Sequence, residues 1–164
     1  MKPTIRWRVP ELADAVSLFE LRTNEAVNRY LDREPPTHIS AVEQFIESRR
    51  ADQTAFYYII ETLPEHAFAG TICLWNIDLV QKSGEVGFEL LPRFQGKGIM
   101  SSTLHQIIQF AFTDVGLEIL DAVTKKGNQP SQTLLERMGF SRAPESNDPE
   151  LADYFVYRLR KGGA

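Results

Sequence analysis

A mixed α/β (α+β) chain, with one central sheet and helices on both of its faces, is what three features of this sequence predict. Residues 55–91 are rich in β-branched and aromatic side chains and are interrupted by turn-forming stretches. On either side of that block apolar residues recur at helical spacing. Strand-like segments then return at 118–124 and 154–160, after helices, so the sheet is mixed and mostly antiparallel.

The elements follow in order. Residues 5–9 read as the first strand. Residues 11–21 form an amphipathic helix with Leu12, Ala13, Ala15, Val16 and Phe19 on or near one stripe. A second short helix over 24–31 ends before Glu34-Pro35-Pro36-Thr37. Ser40, with Glu43 three residues on, forms a capping box that opens a helix over 41–50. Strands at 55–61, 68–77 and 83–91, joined by short connections, make an antiparallel meander. After Pro92, the positions Leu104, Ile107, Ile108, Ala111, Phe112 and Val115 mark a long helix closed by Gly116. A strand at 118–124, a helix at 129–138 ended by Gly139, and strands at 140–143 and 154–160 complete the chain.

At 164 residues the length suits one domain, 1–164. Hydrophobic residues are 43% and charged residues 24%, the proportions of a globular protein. No apolar run approaches the roughly 20 residues needed to cross a bilayer, and the first residues lack an apolar leader. That argues against membrane insertion or export. A single cysteine, Cys73, forms no internal disulfide, which points to a reducing cytoplasm. Net charge is −4 without a dense basic cluster, which excludes a dedicated nucleic-acid binder and suits a cationic substrate.

The informative segment is Gly84 to Ser102, GEVGFELLPRFQGKGIMSS. A strand gives way to a turn containing Gly96 and Gly98, and a long helix starts near Ile99. Glycines there admit positive φ and let the backbone approach a ligand. The helix start points unpaired N–H groups and its positive dipole end into the turn. Together these favour an anion, notably a pyrophosphate. The spacing is not that of a Walker A loop, and Ser101 stands where a dinucleotide fingerprint has its third glycine.

Arg93-x-x-Gly96-x-Gly98 resembles the Q/R-x-x-G-x-G/A signature of the GNAT N-acetyltransferases, and PRFQGKGIM looks like the form used by the RimJ/RimL-like branch. A second block, Asn128-x-x-Ser131 followed by Leu134-Leu135-Glu136-Arg137-Met138-Gly139-Phe140, is similar to that family's N-x-x-S…LLEKLGF. Asp153-Tyr154-Phe155-Val156-Tyr157 resembles the branch's closing strand. The resemblance implies the GNAT fold, splayed between strands 4 and 5, with acetyl-CoA in that cleft and no metal. It implies that Leu90 and Leu91 line the pantetheine arm. The N–H groups from Gln95 through Gly96, Lys97, Gly98, Ile99 and Met100 would hold the pyrophosphate, Arg93 belonging to the same signature and the Lys97 side chain adding charge. Asn128 would meet the cofactor's amide arm; its other reading is a turn residue before Pro130.

The implied reaction is direct acetyl transfer to a primary amine, and the chemistry has three requirements. An alkylammonium has no lone pair and must lose a proton, so a base is needed. The oxyanion needs a donor, by position the N–H of Leu90 or Leu91. The leaving thiolate benefits from an acid. The resemblance implies Glu85 as the first choice of base, at the strand position where some family members place a catalytic glutamate, and alternation puts it on one face with Gly87 and Glu89. Glu145, Glu150 or a water chain are the others, and an exposed strand residue is the bland reading of Glu85. The helix tyrosine of many GNAT enzymes is absent, its place taken by Leu135. The resemblance to the RimJ/RimL-like branch, which uses a serine near the sulfur, implies Ser131 as the acid, and its other reading is a helix-start residue. The acceptor is a small-molecule or peptide amine: a protein N-terminus, polyamine, amino acid or aminoglycoside. The oligomer is a monomer or homodimer. A non-catalytic acyl-CoA sensor, or a scaffold in which the glycines form only a turn, are the competing readings. Cys73 reads as a buried thiol, and His38, His66 and His105 share no metal-ligand spacing.

Overall fold

The computed structural model describes residues 2–163. Its elements are β1 (Ile5–Arg8), α1 (Ala15–Thr23), α2 (Glu25–Asn28), α3 (Ile39–Ala51), β2 (Phe56–Thr62), β3 (Ala67–Asp78), β4 (Ser83–Leu90), α4 (Ile99–Gln109), β5 (Ile119–Lys125), α5 (Gln129–Arg137), β6 (Ser141–Arg142) and β7 (Tyr154–Arg160). Seven strands form one sheet in the order β1-β2-β3-β4-β5-β7-β6. Its consecutive hairpins are antiparallel, as short connections require. The β4–β5 pair is parallel, and its register runs Ser83–Ile119, Gly84–Leu120 and Glu85–Asp121, only three pairs. By contrast β5 pairs with β7 over seven, from Ile119–Arg160 to Lys125–Tyr154. The mixed, splayed sheet expected from the sequence is therefore present. Among the described residues no helix is long and apolar enough to cross a membrane.

Contacts divide the chain into two compact units, 2–73 with 88–103, and 74–87 with 104–163. In the first, Ala15, Leu18, Leu21, Val42, Ile46, Ile59 and Leu91 form a buried cluster, flanked by Phe19, Val27, Tyr57, Phe68 and Phe94. Each fully buried aliphatic side chain contributes about 2 kcal/mol. The α1 stripe differs from the expected one: Val16 is 73% exposed and Leu12 52%. Leu12–Asp14 is a tighter single turn, so the 3.6-residue phase begins only at Ala15 and buries Leu18 and Leu21. The expected second helix shortens to four residues, its N-terminus capped by the Asn24 side chain accepting from the Val27 N–H (3.1 Å). The capping box at Ser40 does not form. His38 takes the extended cap conformation (φ −138, ψ 146), so Ser40 already lies inside α3.

Arg8 joins three segments of this unit. Its Nε donates to Glu61 Oε2 (2.7 Å) and its Nη1 and Nη2 to Asp14 (both 2.8 Å), while Asp14 Oδ2 also accepts the Glu11 N–H (2.7 Å). Arg6 and His66 complete the shell around Glu61. Burial alone would raise the Glu61 pKa; the Arg8 and His66 hydrogen bonds, with the Arg8 and Arg6 charges, hold it at about 2.

In the second unit Leu104, Ile107, Ala111, Leu120, Ala122, Leu135 and Tyr157 are buried, and α5 packs on β5. After Gln109 the α4 helix widens into a π-type turn over Phe110–Val115, closed by Gly116 in the left-handed conformation (φ 85). Gln132 Nε2 donates to the Lys126 carbonyl (2.8 Å) and so fixes α5 at the end of β5.

Candidate active site

The first unit carries the anion-binding geometry. After Leu90 the chain turns tightly through Pro92–Phe94, with the Phe94 N–H on Leu91 O (2.9 Å) and the Gln95 N–H on Pro92 O (3.1 Å). Gly96 (φ 74) and Gly98 (φ 77) then take left-handed backbone that other residues resist. The first helical hydrogen bond of α4 is Ser102 N–H to Gly98 O (3.1 Å). The main-chain N–H groups of residues 96–101 thus have no partner among the described residues. No atom lies within 4 Å of where a Gly96 Cβ would stand; a Gly98 Cβ would meet only Pro3 Cδ, at 3.8 Å. Exposed amides at the start of an eleven-residue helix fit a diphosphate.

Two sequence expectations shift here. The Gln95 N–H is already bonded, so the open run begins at Gly96. The Leu91 N–H donates to Ala69 O (2.9 Å), which removes it from the two oxyanion donors and leaves Leu90. Leu90 and Leu91 are buried (8% and 0% exposed), as are Ile99 and Met100, so their side chains belong to the core. Arg93 pairs with Glu20 (Nη1 to Oε1, 2.6 Å), and the exposed Lys97 has its Nζ 6.0 Å from the Phe94 ring centroid. The Gln95 side chain donates to Leu90 O (3.0 Å) and braces the turn.

The second unit carries Glu85, Asn128 and Ser131. Glu85 is half-buried on β4, level with Asp121 on β5, and its Oε2 accepts from Asn76 Nδ2 (3.1 Å). Burial raises its pKa, the Asn76 hydrogen bond opposes this, and the Asp121 charge raises it further; the net direction is upward. Arg158 holds Asp121 in turn through two hydrogen bonds, Nε to Oδ1 (2.7 Å) and Nη2 to Oδ2 (2.8 Å). A carboxylate with raised proton affinity is the kind of group a general base requires. Asn128 caps α5, its Oδ1 accepting the Ser131 N–H (3.3 Å). The Ser131 hydroxyl makes no hydrogen bond among the described residues.

Of the alternative bases, Glu145 is exposed and pairs with Lys126 (3.3 Å), and Glu150 is exposed. Cys73 is half-buried rather than buried. Sequence reading missed Asn76, Asp121 and Arg158 around Glu85, and Arg33 with Glu89. Glu85 and Asp121 fall in separate predicted strands, and only register shows that they stand side by side.

The fold is that of an acetyltransferase: a crystal structure of a probable acetyltransferase superposes with a TM-score of 0.86, covering 98% of this chain and 94% of that one at 26% identity. Residues 5–141 match the family model for the acetyltransferase (GNAT) domain, and the chain belongs to that family. It is 26% identical over 148 residues to the putative ribosomal N-acetyltransferase YdaF of Bacillus subtilis, covering 88% of this chain and 81% of that protein. It is 25% identical to the spermidine N(1)-acetyltransferase of Escherichia coli K12, covering 84% and 73%. A crystal structure of the Vibrio cholerae spermidine N-acetyltransferase with CoA and spermine superposes with a TM-score of 0.84, covering 96% of each chain at 18% identity, a likeness of fold. The chain is accordingly an N-acetyltransferase that uses acetyl-CoA and acts on amines.

Proposed function

We propose that this enzyme transfers acetyl directly to a primary amine, with the amides of residues 96–101 gripping the diphosphate of acetyl-CoA and Glu85 accepting the amine's proton. The observation that carries the reading is the run of unpartnered amides at the start of α4, opened by two left-handed glycines. Acetyl-CoA supplies an activated thioester carbonyl. Glu85, with its proton affinity raised by burial and Asp121, takes the proton that keeps the amine unreactive. The Leu90 N–H is the oxyanion donor, and the Ser131 hydroxyl is free to donate to the leaving sulfur. The acceptor is a small-molecule or peptide amine: relatives carry names for both a ribosomal and a polyamine acceptor, and the net charge of −4 favours a cation. The acyl-CoA sensor reading is disfavoured, because those relatives are named as transferases.

Gly96→Asp tests the grip. An added carboxylate, at a left-handed residue facing a diphosphate, should abolish the thermal shift with coenzyme A and lower its calorimetric affinity at least a hundredfold. Wild-type affinity in that variant would refute the assignment.

A further inference from the structure

The first unit holds a partly buried charge pair that the scheme above leaves unused. Arg33 lies in the irregular stretch between α2 and α3, and its Nη1 sits 2.6 Å from Glu89 Oε1 on β4. The two side chains are 19% and 13% exposed. Arg33 Nε donates to Asn28 Oδ1 (3.0 Å), but Nη2 is buried with no hydrogen-bond partner among the described residues. Glu89 Oε2 receives only a long hydrogen bond from Thr71 Oγ1 (3.4 Å). A carboxylate offers about four acceptor positions and a guanidinium five donors, so most of this capacity is idle. Burial, and then the Arg22 charge, act against the Arg33 cation, Glu89 supports it, and the net pKa direction is down. A buried pair whose remaining donors and acceptors go unmatched gains little from its contact. It is therefore open to replacement by a better-fitting cation.

Glu89 directly precedes Leu90, the remaining oxyanion donor, and the turn that would hold the diphosphate. A cation beside a carboxylate is held in its charged form. A nitrogen seated there stays protonated and cannot attack, so it is not the one that is acetylated. Resting on the reading above, we propose that Glu89 is the subsite for a second, non-reacting ammonium of the acceptor, and that Arg33 is an internal stand-in which the acceptor displaces. The substrate class is then a diamine or a longer polycation, in preference to a simple amine.

The test compares 1,3-diaminopropane with propylamine in wild type, Arg33→Gln and Glu89→Gln, with melting curves to confirm folding. Arg33→Gln should lower the KM for the diamine about tenfold at nearly constant kcat. Glu89→Gln should raise it about tenfold, and neither should change the KM for propylamine. Calorimetry of 1,3-diaminopropane binding to each protein gives a readout independent of turnover. Tighter binding in Arg33→Gln and weaker binding in Glu89→Gln support the subsite even where the acetyl transfer reading fails. Equal diamine affinity in all three proteins, or a diamine KM that rises in Arg33→Gln, overturns it.

Discussion

Two carboxylates four residues apart on β4 have opposite surroundings. Glu85 meets a neutral amide, Asn76, and a like charge, Asp121. Glu89 meets a guanidinium. The first environment favours taking up a proton, the second favours holding a positive ion. One residue type on one strand thus serves two chemistries, set by the neighbours rather than by the carboxyl group itself. A third carboxylate, Glu61, shows the structural limit: Arg6, Arg8 and His66 take three of its roughly four acceptor positions, so it serves the fold.

The sharpest way to break this contrast is Glu85→Gln. Loss of a general base typically lowers rates by about 10²–10⁴; we expect kcat to fall about a hundredfold, with coenzyme A affinity unchanged by calorimetry. A wild-type rate would pass the role to water or to another carboxylate. Next in size are the tenfold KM changes expected at Arg33 and Glu89. Smaller still is Asp121→Asn. Removing a negative charge beside Glu85 lowers its pKa, so the acid limb of kcat/KM against pH should move to lower pH, with less than a tenfold change at neutral pH. An unmoved limb would mean that Asp121 serves only to pair Arg158. The smallest effect at working pH concerns Glu61 and Asp14, whose folded pKa values are both depressed. Their contribution to stability is present above the unfolded values near 4 and is lost as pH falls through the folded ones. The melting temperature should therefore drop between about pH 4 and 2 in wild type, and by less in Glu61→Gln. Parallel acid profiles would remove Glu61 as an acid-sensitive anchor.

Sequence made the periodic elements legible. Segments 119–125, 129–137 and 154–160 emerge within a residue or so of their predicted limits, and the helix is the sharpest because Asn128, Pro130 and Gly139 mark its two ends. The glycine turn was also legible, since φ > 0 leaves a residue-type mark. Helix phase and caps were less so. Val16 scored as apolar yet faces outward, because a single tight turn at 12–14 resets the phase. Ser40 looks like a cap, but the preceding extended residue decides where a helix begins. Least legible were the partnerships that tune the site. Arg33 and Glu89 are far apart in sequence, as are Glu85 and Asp121, and no local pattern joins them.

The contact between Pro3 and the Gly98 position has a practical side. A purification tag joined ahead of Pro3 would leave the fold beside the exposed glycines, where a histidine tract or linker competes with a phosphate for the same amides.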